Sequence, residues 1–197
     1  MNYLAHLFLA NNSDEQRIGS ILADFTNGTI DMLSSRFSHE IAKGIRHHRA
    51  IDKFTDEHPA VKRSVERLSS EYSIYSGIIV DVLFDHFLII HWKRYSEIDQ
   101  ELFFESVYKS LSYGHFEYPE RFSIMLERLL ERKWLGVYRD LDSVAFALKK
   151  IDERFKRPTP LLYALKGIKK GYSDFETDFL QFFPQLKDFS DDFDTNF

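Results

Sequence analysis

The sequence predicts an all-α fold, a single-domain multi-helix bundle running over residues 1–197. Apolar side chains return at helical spacing, as in Ile18, Ile21, Leu22 and Phe25. Val and Ile nowhere form the alternating, turn-bounded runs that strands require. Proline, glycine and capping residues fall between the periodic segments rather than inside them. A chain of 197 residues is long enough for one substantial core.

In chain order, Asn2–Ala10 is a short apolar helix, and Asn11, Asn12, Ser13 and Asp14 supply caps for the next. That second helix, Glu15–Phe25, is stopped by Asn27–Gly28. Ser38–Phe54 follows, and Pro59 opens a helix over His58–Leu68, where a missing N–H costs little. Ser73–Trp92 reads as a long buried helix. Leu102–Tyr113 and Glu120–Leu130 flank a turn at Gly114–Pro119, and Leu141–Phe155 is amphipathic. Pro158 and Pro160 precede Leu161–Lys170, and a last helix near Phe175–Phe183 is stopped by Pro184. The acidic tail beyond about residue 184 is expected to fray.

Composition narrows the function classes. Hydrophobic residues make up 44% and charged residues 29%, the balance of a water-soluble globular chain. With 19 Phe the core should be aromatic, and the lack of cysteine excludes disulfides and thiolate ligands. The N-terminus has no basic segment ahead of its apolar stretch, and Ile78–Trp92 is interrupted by Asp81, Asp85, His86 and His91. Neither a secretory signal nor a membrane span is expected, and the location expected is cytoplasmic. A net charge of −5 argues against nucleic-acid binding. Basic residues nevertheless crowd Lys149–Lys170, either as solvated helix faces or as a surface for an acidic partner.

Two stretches carry chemistry: HHRAID (His47–Asp52), with Asp56 beyond it, and DVLFDHFLIIHW (Asp81–Trp92). His48 and Asp52 are i, i+4 neighbours, as are Asp81 and Asp85, so each pair shares a helix face. Ionised carboxylates in apolar surroundings need a partner or a cation. The candidate metal ligands are Asp24, His48, Asp52, Asp81, Asp85 and His86. Carboxylates mixed with imidazoles suit Mn²⁺, Fe²⁺, Mg²⁺ or Zn²⁺ rather than copper. His47 and Asp56 fit either a solvated face or the site, while His39, His58 and His115 read as surface residues. His6, inside YLAHLFL, reads as a satisfied core histidine. Arg49 and Arg139 are the best anion binders. Tyr138, Arg139 and Asp140 form either a substrate-positioning element or, the favoured reading, a helix start capped by Asp140. No phosphate-binding glycine loop, GxSxG elbow or HExxH is present, which leaves metal-activated water as the nucleophile.

The chain resembles the acyl carrier protein phosphodiesterases. The likeness runs through MNYLAHLFLA, ILADF, GIRHHRAIDKFTDEHPAV, DVLFDHFLIIHW, WLGVYRDLD and FETDFLQFFPQL, nearly the whole chain. It implies a fold related to the HD-domain phosphohydrolases and hydrolysis of 4′-phosphopantetheine from the serine of holo-acyl carrier protein. It also implies Mn²⁺ as the usual cofactor and Asp24, His48 and the Asp81/Asp85/His86 group, with Asp52 close by, as the metal positions. The order of His and Asp departs from the HD pattern, since the dipeptide at Asp85–His86 is reversed. In such a reaction Arg49 would offset phosphoryl charge, and His47, His91 or His6 would protonate the departing serine oxygen. Carrier proteins are acidic, so Lys149, Lys150 and Arg154 are expected to meet the partner. Three alternatives stay open: a phosphohydrolase of small nucleotides or pantetheine phosphoesters, a non-catalytic carrier-protein binder, and a di-metal redox bundle.

Overall fold

A computed structural model of the chain describes residues 2–10, 13–113 and 117–195. The expected Asn11–Asn12 caps, the Gly114 end of the long turn and His115 lie outside the described residues. Among those described there is no strand; the elements are α-helices joined by short 3₁₀ turns. They are α1 (Tyr3–Leu9), α2 (Asp14–Leu22), α3 (Ile30–Ser34), α4 (His39–Glu57) and α5 (Pro59–Tyr72). Then come α6 (Ser76–Ile90), α7 (Gln100–Leu111), α8 (Glu120–Arg132), α9 (Leu141–Asp152) and α10 (Ala164–Thr195).

Two compact units share these helices. The first holds Phe54–Ser96 and Val137–Lys187. Its core is the aromatic cluster of Phe84 and Phe87 from α6 with Phe179, Phe182 and Phe183 from α10, all fully buried. Phe84 meets Phe179 edge-on at 5.5 Å, a geometry that aligns ring edge with ring face. Buried in the same unit, the Asp178 carboxylate accepts from Ser64 and from the guanidinium groups of Arg63 and Arg67. Helices α5 and α6 with the turn between them are long and apolar enough to cross a membrane, but 61% of their most apolar stretch is buried in the fold.

The second unit holds Tyr3–Lys53, Glu97–Gly136 and the chain from Asp188. Here α2 and α4 cross at two glycines. A Cβ at Gly19 would stand 2.2 Å from the Ile41 carbonyl oxygen, and one at Gly44 would stand 2.3 Å from that of Gln16. Only glycine permits backbones this close. Ser13 caps α2, its hydroxyl accepting from the Gln16 N–H.

Three expectations need correction. Pro184 does not stop a helix: α10 runs through it to Thr195. Proline in a helix interior costs ~3 kcal/mol. Phe182, Phe183 and Leu186 around it are fully buried, at about 1.5–3 kcal/mol each, so packing outweighs the lost hydrogen bond. The break expected before Phe175 shrinks to one non-helical residue, Gly171. His58 is not a surface residue; its Nδ1 accepts from the Ala60 N–H and its ring packs on Phe182. Pro59 forces the helix start there, and His58 is the side chain in reach of the exposed amide.

Candidate functional site

The site is built in the second unit from three segments. α1 carries His6, the 3₁₀ turn Ala23–Phe25 at the end of α2 carries Asp24, and α4 carries His48 and Asp52. The close crossing of α2 and α4 at Gly19 and Gly44 is what brings the end of α2 down beside α4. His48 Nε2 lies 3.0 Å from Asp52 Oδ2 and 3.3 Å from Asp24 Oδ1. His6 Nε2 lies 3.1 Å from the other Asp52 oxygen, poorly aligned for a hydrogen bond. The two imidazoles stack at 3.8 Å between ring centroids.

Burial is uneven. Both histidines are almost wholly buried, whereas the Asp24 and Asp52 side chains are 47% and 42% exposed. Imidazoles thus form the floor and carboxylates the rim. Both ring nitrogens of His6, and Nδ1 of His48, have no hydrogen-bond partner. A buried polar atom left unpaired costs about 1–3 kcal/mol, which is the mark of a site shaped for something else.

The electrostatics separate the two rings. Burial, reinforced by the neighbouring His48, pushes His6 down to about 3, so it is neutral at pH 7. Burial also pulls His48 down, but hydrogen bonds and charge from Asp24 and Asp52 outweigh it and raise it to about 9. Burial works against the Asp52 carboxylate, yet His48 and His6 hold it well below the usual carboxylate range. With no cation bound, the positive charge between the two carboxylates is the proton on His48. Donor atoms of His6, His48 and Asp52 all lie within 4.8 Å of one another. Two imidazoles and carboxylate oxygens around one point fit a divalent cation of the Mn²⁺ or Zn²⁺ kind.

Other residues singled out in the sequence fall elsewhere. Arg49 faces the loop after Asp24, where its guanidinium donates to the carbonyls of Gly28 at 2.8 Å and Thr26 at 3.2 Å. His47, buried, has Nε2 2.9 Å from the Ser190 hydroxyl. Asp81, Asp85 and His86 belong to the first unit. Asp85 is fully buried and His86 has both nitrogens engaged, Nδ1 with the Tyr138 carbonyl at 2.7 Å and Nε2 with the Tyr172 hydroxyl at 2.8 Å. His91 pairs with Glu176 at 2.7 Å. Asp140 caps α9 by accepting from the Ser143 N–H, while Arg139, Lys149, Lys150 and Arg154 are exposed.

In the sequence His6 reads as a core histidine or a candidate proton donor, and not as one of the metal ligands. Nothing on its own helix marks it, since its carboxylate partner is 46 residues away. The one available signal was an imidazole in an otherwise apolar segment.

A family model described as acyl carrier protein phosphodiesterase matches residues 1–186. Curated relatives with that name are 33% identical in Photorhabdus laumondii, over 94% of this chain and 93% of the relative. The relative from Pectobacterium atrosepticum is 32% identical, and that from Yersinia pestis 33%, each over 94% of this chain and 95% of the relative. No solved structure matches the chain, so the expected likeness to the HD-domain fold rests on sequence resemblance.

Proposed function

The chain belongs to the acyl carrier protein phosphodiesterase family, and on that ground we propose that it hydrolyses the phosphodiester joining 4′-phosphopantetheine to the serine of holo-acyl carrier protein. We propose further that the reaction depends on a divalent cation, Mn²⁺ first among the candidates. The observation that carries this reading is the convergence of His6, His48, Asp52 and Asp24 from three separate segments, with buried ring nitrogens left unpaired.

A cation held there would supply an acidified water and a counter-charge for phosphoryl oxygens. The residues do the rest. His6, kept neutral by burial, offers a lone pair without first losing a proton. His48 must release its proton to do so, and Asp24 and Asp52 then balance the charge in its place. Arg49, by gripping the carbonyls of Thr26 and Gly28, holds the loop that follows Asp24.

The partner is read from charge. Lys149 and Lys150 on α9, and Arg154 just past its end, are exposed, and an acidic carrier protein would be steered toward them. A chain without cysteine is compatible with a reducing compartment.

Intact-mass spectrometry of holo-acyl carrier protein incubated with the enzyme and Mn²⁺ tests the proposal. Loss of one phosphopantetheine, abolished by EDTA and by Asp52→Asn, is the expected result. An unchanged mass with folded, Mn²⁺-loaded enzyme would overturn it in favour of a small phosphoester substrate.

A further inference from the structure

The family match ends at residue 186, but α10 continues to Thr195, and its last turns belong to the unit that contains the site. Within them Ser190 is buried. Its hydroxyl donates to the Leu9 carbonyl at 3.3 Å, and its oxygen lies 2.9 Å from His47 Nε2. Leu9 ends α1, so its carbonyl is one that the helix cannot satisfy internally. With the hydroxyl hydrogen directed at Leu9, the Ser190 oxygen accepts from the His47 Nε2–H. One turn on, Phe193 stacks on the His47 ring at 5.1 Å, and the Arg46 guanidinium lies 5.8 Å from the Phe193 centroid.

One serine therefore joins the two helices that carry the stacked imidazoles. Leu9 is three residues from His6 on α1, and His47 precedes His48 on α4. The contact at His6 and His48 is tight, 3.8 Å between rings, and neither ring reaches across to the other with a hydrogen bond. Besides the 3.1 Å approach of His6 Nε2 to Asp52 and the Ser20 hydroxyl on the His6 carbonyl, Ser190 is a further link between α1 and α4.

We propose that residues 188–193 are a staple that sets the spacing of His6 and His48, with Ser190 as the positioning residue. This segment lies beyond residue 186, where the match to the family model ends. The Ser190 contacts exist without a cation, and their consequence for cation binding rests on the metal reading above.

The test uses the full-length chain with Ser190→Ala, Ser190→Thr and Phe193→Ala. Two readouts are taken: the imidazole resonances of His6 and His48 in metal-free protein, and Mn²⁺ affinity by calorimetry. Ser190→Ala should move both imidazole signals and weaken Mn²⁺ by about tenfold, the usual scale for loss of a supporting contact. Ser190→Thr, which keeps the hydroxyl, should recover both. Should Ser190→Ala not fold, Phe193→Ala is expected to produce the same two changes. Unmoved His6 and His48 signals in a folded variant, with only the melting temperature lowered, would overturn the staple. If the parent protein binds no Mn²⁺ while Ser190→Ala still moves the two imidazoles, the metal reading fails and the staple stands.

Discussion

His6 and His48 stack with their rings 3.8 Å apart and tilted by 17°, yet one is neutral and the other protonated at pH 7. His6 is pushed down to about 3 and His48 raised to about 9. Two adjacent imidazolium ions would repel at this distance, and the carboxylates decide which ring is charged. Asp24 and Asp52 both face His48, whereas His6 meets Asp52 alone and at a poor angle.

That division predicts how stability responds to pH without metal. Folding raises His48 from 6.5 to about 9, so its contribution is complete below pH 6.5 and gone above about 9. Folding lowers His6 from 6.5 to about 3, so its contribution is present above pH 6.5 and is lost as the pH falls. Thermal unfolding in EDTA should therefore peak near pH 6.5 and decline on both sides. His6→Phe should flatten the acid side, and a monotonic profile in the parent would contradict the assignment.

Cation binding should be coupled to the same proton. If Mn²⁺ replaces the proton on His48, its apparent affinity should rise about tenfold per pH unit between 6.5 and the His48 value of about 9. Calorimetry in buffers of different ionisation enthalpy would count the protons released. Affinity independent of pH would mean that His48 is not displaced.

The crossing of α2 and α4 predicts an intolerant position. Gly44→Ala sets a methyl 2.3 Å from the Gln16 carbonyl, a contact with backbone that no rotamer relieves. A loss of about 2 kcal/mol or more is expected on chemical denaturation, together with weaker Mn²⁺ binding as Asp24 moves away from His48. Wild-type stability in this variant would show that the two helices separate freely.

Charge reversal on α9 addresses the partner. Replacing Lys149, Lys150 and Arg154 by Glu should raise KM for carrier protein and remove much of its salt dependence, while kcat holds. An unchanged, salt-insensitive KM would point to another docking face.

What was local was legible in the sequence. The all-helical class, the helix starts at Ser13 and Pro59, the Asp140 cap and the His48–Asp52 pair are all set within one turn of chain, where spacing alone dictates who meets whom. Pro184 was misleading because its effect is local while the packing that overrides it is not: the Phe182, Phe183 and Leu186 side chains find their burial among distant residues. The same holds for the site. Spacing could mark His48 and Asp52, but the approach of Asp24 depends on two glycine contacts between α2 and α4. The approach of His6 depends on how α1 lies against α4, with Ser190 fastened to both from more than 140 residues down the chain. Charge state follows geometry: an imidazole's pKa is fixed by its burial and by which carboxylates face it, and both are properties of the packed chain rather than of its order.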